Sequence, residues 1–170
     1  MLDETIITET PPLTACYGYR GEQVEVPVTG NHARRVLHGV INIRSGDVLF
    51  LITEVWDQRT HQAFLDMIRR HWSGWHMILF EDRGSPHTAA TSRRHAKRLG
   101  IEVRFLPPAT PELNAMDHLW RHVKGRILAN RATQTIDTSA DAACQALLAM
   151  RRHERLRKAG VLSGHFWLSP

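Results

Sequence analysis

Trp75-His76-Met77-Ile78-Leu79-Phe80-Glu81-Asp82 is a short apolar run that ends in two acids, and Ile101-Glu102-Val103-Arg104-Phe105-Leu106 is a second run closed by Pro107-Pro108. Between them, residues 86–99 follow a helical period with a basic outer face of Arg93, Arg94, Lys97 and Arg98, and Gly100 stops the pattern. Strand, helix, strand is the unit of a parallel sheet. Upstream, Gln58 to His71 places Phe64, Leu65, Ile68 and Trp72 at helical spacing. Val36–Arg44 and Val48–Val55 flank Ser45-Gly46-Asp47 as a β-hairpin, and Leu2–Thr8 reads as a strand. Downstream, Thr110-Pro111 has the form of a helix N-cap and first-turn proline, followed by the apolar stripe Leu113, Met116, Trp120 and Val123. A last helix is expected from about Ser139 to Lys158, with Ala143, Leu147, Met150 and Leu156 on its apolar side. The order predicts an α/β fold: a mixed central sheet with helices on both faces.

Residues 9–34 do not fit this regularity. With Pro11-Pro12, Gly18, Gly21, Pro27 and Gly30 they read as a long loop or arm, carrying one short strand at Val24–Val28. A loop of that length in a compact domain usually has a function. Nothing else divides the 170 residues, so one domain is expected. Trp56, Trp72, Trp75 and Trp120 are assigned to the core on size and apolarity.

Charge is distributed unevenly. Residues 1–82 hold 7 Lys/Arg against 11 Asp/Glu, whereas residues 83–170 hold 15 against 6, and arginine supplies 19 of the 22 basic residues. A basic second half points to a polyanion such as nucleic acid, since the guanidinium fork suits phosphate. No run reaches the ~18 apolar residues of a membrane span, and the first residues lack the form of a signal peptide. Cys16 and Cys144 are too few for a disulfide framework or a four-cysteine zinc site. The expectation is a cytoplasmic, nucleoid-associated protein without membrane partners.

Three aspartates stand where an α/β fold presents a site: Asp3 in the first strand, Asp82 at the end of a later one, Asp117 on the helix after the last. Such carboxylates repel unless a cation lies among them, and hard oxygen donors favour Mg²⁺ or Mn²⁺. Two ions of that kind can bracket a phosphodiester during in-line displacement. Spacing alone leaves the plainer roles open, namely a terminal residue, a turn former before Gly84 and a solvated helix residue. Glu4, Glu81 or Glu112 could each replace its neighbour, although adjacent strand residues face opposite ways.

The segment Asp82-Arg83-Gly84-Ser85-Pro86-His87, then Phe105-Leu106-Pro107-Pro108-Ala109-Thr110-Pro111-Glu112-Leu113-Asn114-Ala115-Met116-Asp117-His118-Leu119-Trp120 with Lys124, resembles the catalytic core of mariner-like transposases and their bacterial insertion-sequence relatives. Asp3-Glu4 is similar to that family's first catalytic strand, and Gly164-His165-Phe166-Trp167-Leu168 to its C-terminal end. Arg83, Ala115 and Asp117 stand where the family usually has Asn, Pro and, in many bacterial members, Glu. The resemblance implies a ribonuclease-H-like fold in which Asp3, Asp82 and Asp117 bind two Mg²⁺ (or Mn²⁺) ions and catalyse DNA strand cleavage and transfer. His87 and Asn114 are auxiliary candidates. The competing reading is a DNA-binding remnant with impaired catalysis, for which Arg83 beside Asp82 argues.

The same resemblance implies element-end and target DNA as partners, a homodimer on DNA, and the arm 9–34, with Tyr17 and Tyr19, as a contact across that dimer. Only Met1 and Leu2 precede Asp3, so the family's helix-turn-helix reader is expected to be absent. DNA contact is then expected from Arg34, Arg35, Arg93, Arg94, Lys97, Arg98, Lys124, Arg126, Arg151, Arg152 and Arg155, through phosphates rather than bases.

Overall fold

A computed structural model describes residues 1–28, 30–131 and 135–168. Strands β1 (Leu2–Thr8), β2 (Arg34–Ile41) and β3 (Val48–Thr53) form an antiparallel sheet in that order, with Asp3 opposite Gly39 and Val36 opposite Thr53. The β2–β3 turn is held by Asn42, whose side chain accepts from the amides of Arg44 and Ser45. Gly46 closes it with φ +70°, and a Cβ there would meet the Arg152 carbonyl oxygen at 2.4 Å. Only glycine meets both demands.

Helix α1 (Gln58–His71) begins at a capping box in which Asp57 accepts from the Arg59 and Thr60 amides. Its buried residues, His61, Phe64, Leu65 and Ile68, lie on one stripe. Strands β4 (Met77–Glu81) and β5 (Ile101–Phe105) pair in parallel across helices α2 (Ser85–Thr88) and α3 (Ala90–Arg98). The expected mixed sheet is thus built in two hydrogen-bonded pieces, with β1 lying against β4. Helix α4 (Ala115–His122) runs into a π-helical turn, Val123–Ile127, and is followed by α5 (Ile136–Ala149) and α6 (Arg152–Lys158).

Strand alternation assigns each face its core. Leu2 and Val40 pack with Phe64, Leu65, Ile68, Leu79, Ala96 and Ile101 under α1 and α3. Ile7, Leu37 and Ile41 pack with Met116, Leu119, Trp120, Ala140 and Leu147 under α4 and α5. Trp120 lies so close over β2 that a Cβ on Gly39 would fall 2.4 Å from its ring. Its indole N–H points to the Asp3 carbonyl oxygen at 3.4 Å. Gly39 therefore admits the ring that seats α4 on β1, and Asp117 lies one turn before Trp120 on that helix.

Four local expectations are corrected. Residues 86–99 form two helices, because Ala89 is extended (ψ 133°). Helix α4 is capped by Asn114, not Thr110: the buried Asn114 side chain accepts from the Met116 amide and donates to the Leu2 carbonyl, while Pro111–Leu113 make a separate 3₁₀ turn. The last helix breaks at Met150 and Arg151, which are extended. Val24–Val28 forms no ladder; Pro27 lacks the N–H that a strand needs there, and both valines are exposed. The arm is instead tied at its base, where Asn130 bonds Thr14 through its side chain and the Pro12 carbonyl through its amide.

Candidate active site

Asp3 faces the α4 side of β1, Asp82 directly follows the last residue of β4, and Asp117 sits in the first turn of α4. Burial, followed by the nearby carboxylates of Glu4, Asp117 and Asp82, pushes the Asp3 carboxyl up to about 8. No hydrogen-bond donor among the described residues reaches that carboxyl. Asp117 is ion-paired with Arg121 one turn along the helix. Asp82 is more exposed, and the hydrogen bond from His87, aided by the Gly84 amide, holds its pKa below the usual range. Three carboxylates from separate elements, the most buried of them without a donor, make a hard-oxygen donor set whose mutual repulsion a divalent cation would relieve. Their donor chemistry suits Mg²⁺ or Mn²⁺, but the three carboxylates do not close to within 4.8 Å of one another among the described residues.

Behind this cluster lies a second one, in which the sequence singled out Glu4, Glu81 and His87 one by one but not His38 or His61. Glu4, on the opposite face of β1 from Asp3, places Oε1 3.2 Å from His38 Nδ1 and 3.1 Å from His87 Nε2. Burial opposes the charge on Glu4, but the two histidine bonds outweigh it and hold its pKa down to about 2. Burial likewise opposes a charged His87; its bonds to Asp82 and Glu4 prevail and raise it to about 11. His61, its ring 4.6 Å from that of His87, is driven the other way by burial, to about 3, and its Nδ1 has no partner among the described residues. Glu81 is buried beside it, with its pKa raised to about 7 mainly by burial. Donor atoms of Glu4, His61 and His87 lie within 4.8 Å of one another, but His87 directs both ring nitrogens at carboxylate oxygens and so keeps no lone pair for a metal. A histidine within the apolar run Val36–Ile41 and another on the buried stripe of α1 were the available signals for His38 and His61.

Trp56, expected in the core, is 40% exposed and sets its ring edge-on to His87, in the space left by the missing Cβ of Gly84. Trp75 is also a surface residue, 69% exposed. Trp120 is buried, as expected. Trp167 packs its ring on Phe80 and donates to the Leu113 carbonyl, tying the C-terminal segment to the 3₁₀ turn before Asn114.

Among the basic residues, Arg93, Arg94, Lys97 and Arg98 line the exposed side of α3, Arg126 is exposed on the π-helical turn with Lys124 half-buried beside it, and Arg34, Arg151 and Arg152 are exposed. Two expectations are corrected. Arg35 is held by Asp137, with bonds of 2.7 and 3.1 Å, and by Glu54. Arg155 is only 7% exposed and donates to the carbonyls of Leu147, Leu148 and Gly46, capping the end of α5 where the helix breaks.

With this geometry in place, comparison with known proteins is direct. The profile of a family described as DDE superfamily endonuclease matches residues 1–139. The chain belongs to that family. The Tcb2 transposase of Caenorhabditis briggsae is 27% identical over 111 residues, which is 61% of this chain and 40% of that protein. An uncharacterised protein of Sinorhizobium fredii, y4pE/y4sA, is 27% identical over 111 residues, 65% of this chain and 80% of the relative. The Mos1 transposase paired-end complex with left transposon end superposes with a TM-score of 0.75 at 18% identity, covering 95% of this chain and 51% of that one. The catalytic domain of Mos1 mariner transposase superposes with a TM-score of 0.68 at 16% identity over 95% of this chain and 74% of that one. This DDE-family chain therefore has the ribonuclease-H-like fold, and it spans about half the length or less of Tcb2 and of the Mos1 complex chain. Among the described residues no helix is long and apolar enough to cross a membrane.

Proposed function

We propose that this chain is the catalytic domain of a DNA transposase in which Asp3, Asp82 and Asp117 hold two Mg²⁺ (or Mn²⁺) ions. The observation that supports the reading is the buried, donor-free Asp3 carboxyl, which the charges of Asp117 on α4 and Asp82 after β4 help to raise. Solved Mos1 complexes with Mn and with Mg support the choice of ion. Bound divalent ions supply Lewis acidity for in-line displacement at a phosphodiester. Asp3, Asp82 and Asp117 would hold those ions beside the phosphodiester, where an attacking water forms the new bond to phosphorus and the deoxyribose 3′ oxygen leaves. The freed 3′-hydroxyl then attacks target DNA in a second displacement, with no covalent enzyme intermediate.

Exposed Arg34, Arg93, Arg94, Lys97, Arg98, Arg126, Arg151 and Arg152, with Lys124, take phosphates of element-end and target DNA. The arm 9–34, with Tyr17 and Tyr19 fully exposed, contacts a second copy on DNA. The Arg83 guanidinium lies over the Phe105 ring, 5.8 Å from the centroid, and no ion pair joins it to Asp82 among the described residues, so its charge does not occupy the Asp82 carboxylate. The test is Mg²⁺-dependent cleavage and strand transfer on element-end DNA. Asp82→Asn should abolish both in a chain that still folds cooperatively, at a lower melting temperature because His87 loses one of its two anions; normal rates in that variant would sink the assignment.

A further inference from the structure

Of the three aspartates, Asp82 alone lies outside a regular element: Asp3 is within β1 and Asp117 within α4, whereas Asp82 begins the loop after β4. Its carboxylate needs another anchor. Oδ1 accepts from His87 Nδ1 at 2.7 Å and from the Gly84 amide at 2.8 Å, and no hydrogen bond falls on Oδ2 among the described residues. The ring that holds Oδ1 is itself held. His87 Nε2 reaches Glu4 Oε1 at 3.1 Å, the same oxygen takes His38 Nδ1 at 3.2 Å, and His38 Nε2 lies 3.0 Å from Thr53 Oγ1. His38 and His87 are fully buried and Glu4 nearly so.

We propose that Glu4, through His87, is a positioning residue for Asp82, in a relay Thr53–His38–Glu4–His87–Asp82 that fixes one carboxylate oxygen and leaves the other for a divalent cation. Each carboxylate oxygen can only accept, so both His87 ring nitrogens donate and the ring spans two anions. Thr53, His38 and Glu4 come from β3, β2 and β1, so the relay fastens a loop residue to the rigid antiparallel sheet. An outer contact that orients a ligand typically governs metal affinity by roughly 10–100-fold. The inference rests on the reading of Asp82 as a metal ligand.

Binding of Mn²⁺, followed by the loss of the free-ion EPR signal, tests it without recourse to turnover. His87→Gln should weaken Mn²⁺ binding by roughly 10–100-fold. Glu4→Gln should weaken it in the native background and add nothing in the His87→Gln background, because Glu4 acts only through the ring. Nonspecific duplex binding should stay constant in all of them. Additive losses in the double variant, or unchanged Mn²⁺ binding in His87→Gln, would overturn the relay. Should His87→Gln fail to fold, Glu4→Gln and His38→Gln decide, and unchanged binding in both overturns it. Stoichiometric zinc uptake that is lost in His61→Asn would also overturn it, by making Glu4 and His87 ligands themselves. Asp82→Asn separates the two levels: retained Mn²⁺ binding there defeats the metal reading and the relay with it, whereas loss there without loss in His87→Gln defeats the relay alone.

Discussion

Asp3 and Glu4 are neighbours on one strand and live in opposite electrostatic worlds. Both carboxyls are largely buried. Asp3, with no donor and with other carboxylates around it, is pushed up to about 8; Glu4, between two histidines, is held near 2. Strand alternation alone separates them, since it turns one side chain toward α4 and the other toward α1 and α2. A buried carboxyl lacking a counter-charge is a place for a cation, and one already satisfied by two imidazoles is scaffold.

The sharpest way to break this contrast is the pair of isosteric amides. Asp3→Asn should reduce metal-dependent cleavage below detection and raise the melting temperature of the metal-free chain at neutral pH, because the amide is neutral without the proton that Asp3 must take up on folding. Glu4→Gln should lower the melting temperature, since removing one partner of a buried ion pair costs about 3–5 kcal/mol. Equal melting shifts of the same sign in the two variants would erase the distinction.

Next in size is the ring that sets the distance between Asp3 and α4. Trp120→Ala should cost about 3–5 kcal/mol in denaturant unfolding. Gly39→Ala should also destabilise, since its methyl would enter the ring's volume at 2.4 Å. Combined, the two should cost less than their sum, because alanine at 120 vacates the space that alanine at 39 invades. Strict additivity would mean that the contact does not govern this approach.

How much of this was legible follows from range. The hairpin, α1, β4 and β5 announce themselves within windows of 5–15 residues, through alternation, helical stripes and glycine stops, and they appear close to their expected bounds. The three aspartates were singled out by their places in the first strand, at the end of β4 and on α4, and by family resemblance. Asn114 was not legible as a cap because its amide is fixed by Leu2, 112 residues away. Arg155 looks in sequence like its exposed neighbours, and only the break at Met150–Arg151 creates the bare carbonyls that draw it inward. The Glu4–His38–His87 chain joins three separate elements, and no local period records it.

Proton linkage offers a smaller, graded test. The ordinary aspartate value is 3.8, and Asp3 in the folded, metal-free chain titrates near 8. A raised folded pKa means that the associated stability is present below pH 3.8 and is lost as pH rises through about 8. A bound divalent ion takes the place of that proton, so the rise in melting temperature on adding Mg²⁺ should be small at pH 5 and grow toward pH 8. Glu81 is also raised, mainly by burial and only in lesser part by Asp82, so repeating the measurement in Glu81→Gln isolates the Asp3 share. A Mg²⁺ effect independent of pH would remove Asp3 from the ion's surroundings.

The smallest effect on the fold belongs to the basic surface, and it sharpens the contrast between a residue that serves the scaffold and one that faces outward. Arg94 is exposed on α3, while Arg155 is buried with three carbonyl acceptors. Arg155→Ala should destabilise by about 1–3 kcal/mol, because the carbonyls of Leu147, Leu148 and Gly46 lose their donors where water has little access. It should leave DNA affinity per folded molecule unchanged. Arg94→Ala should alter stability by no more than about 0.5 kcal/mol. In duplex titrations at several salt concentrations it should reduce the slope of log affinity against log salt by about 1, equally for element-end and scrambled DNA, as expected for one phosphate contact. An equal change of slope in Arg155→Ala would mean that the inward guanidinium is not confined to capping α5, and a sequence-dependent loss in Arg94→Ala would mean that α3 reads bases.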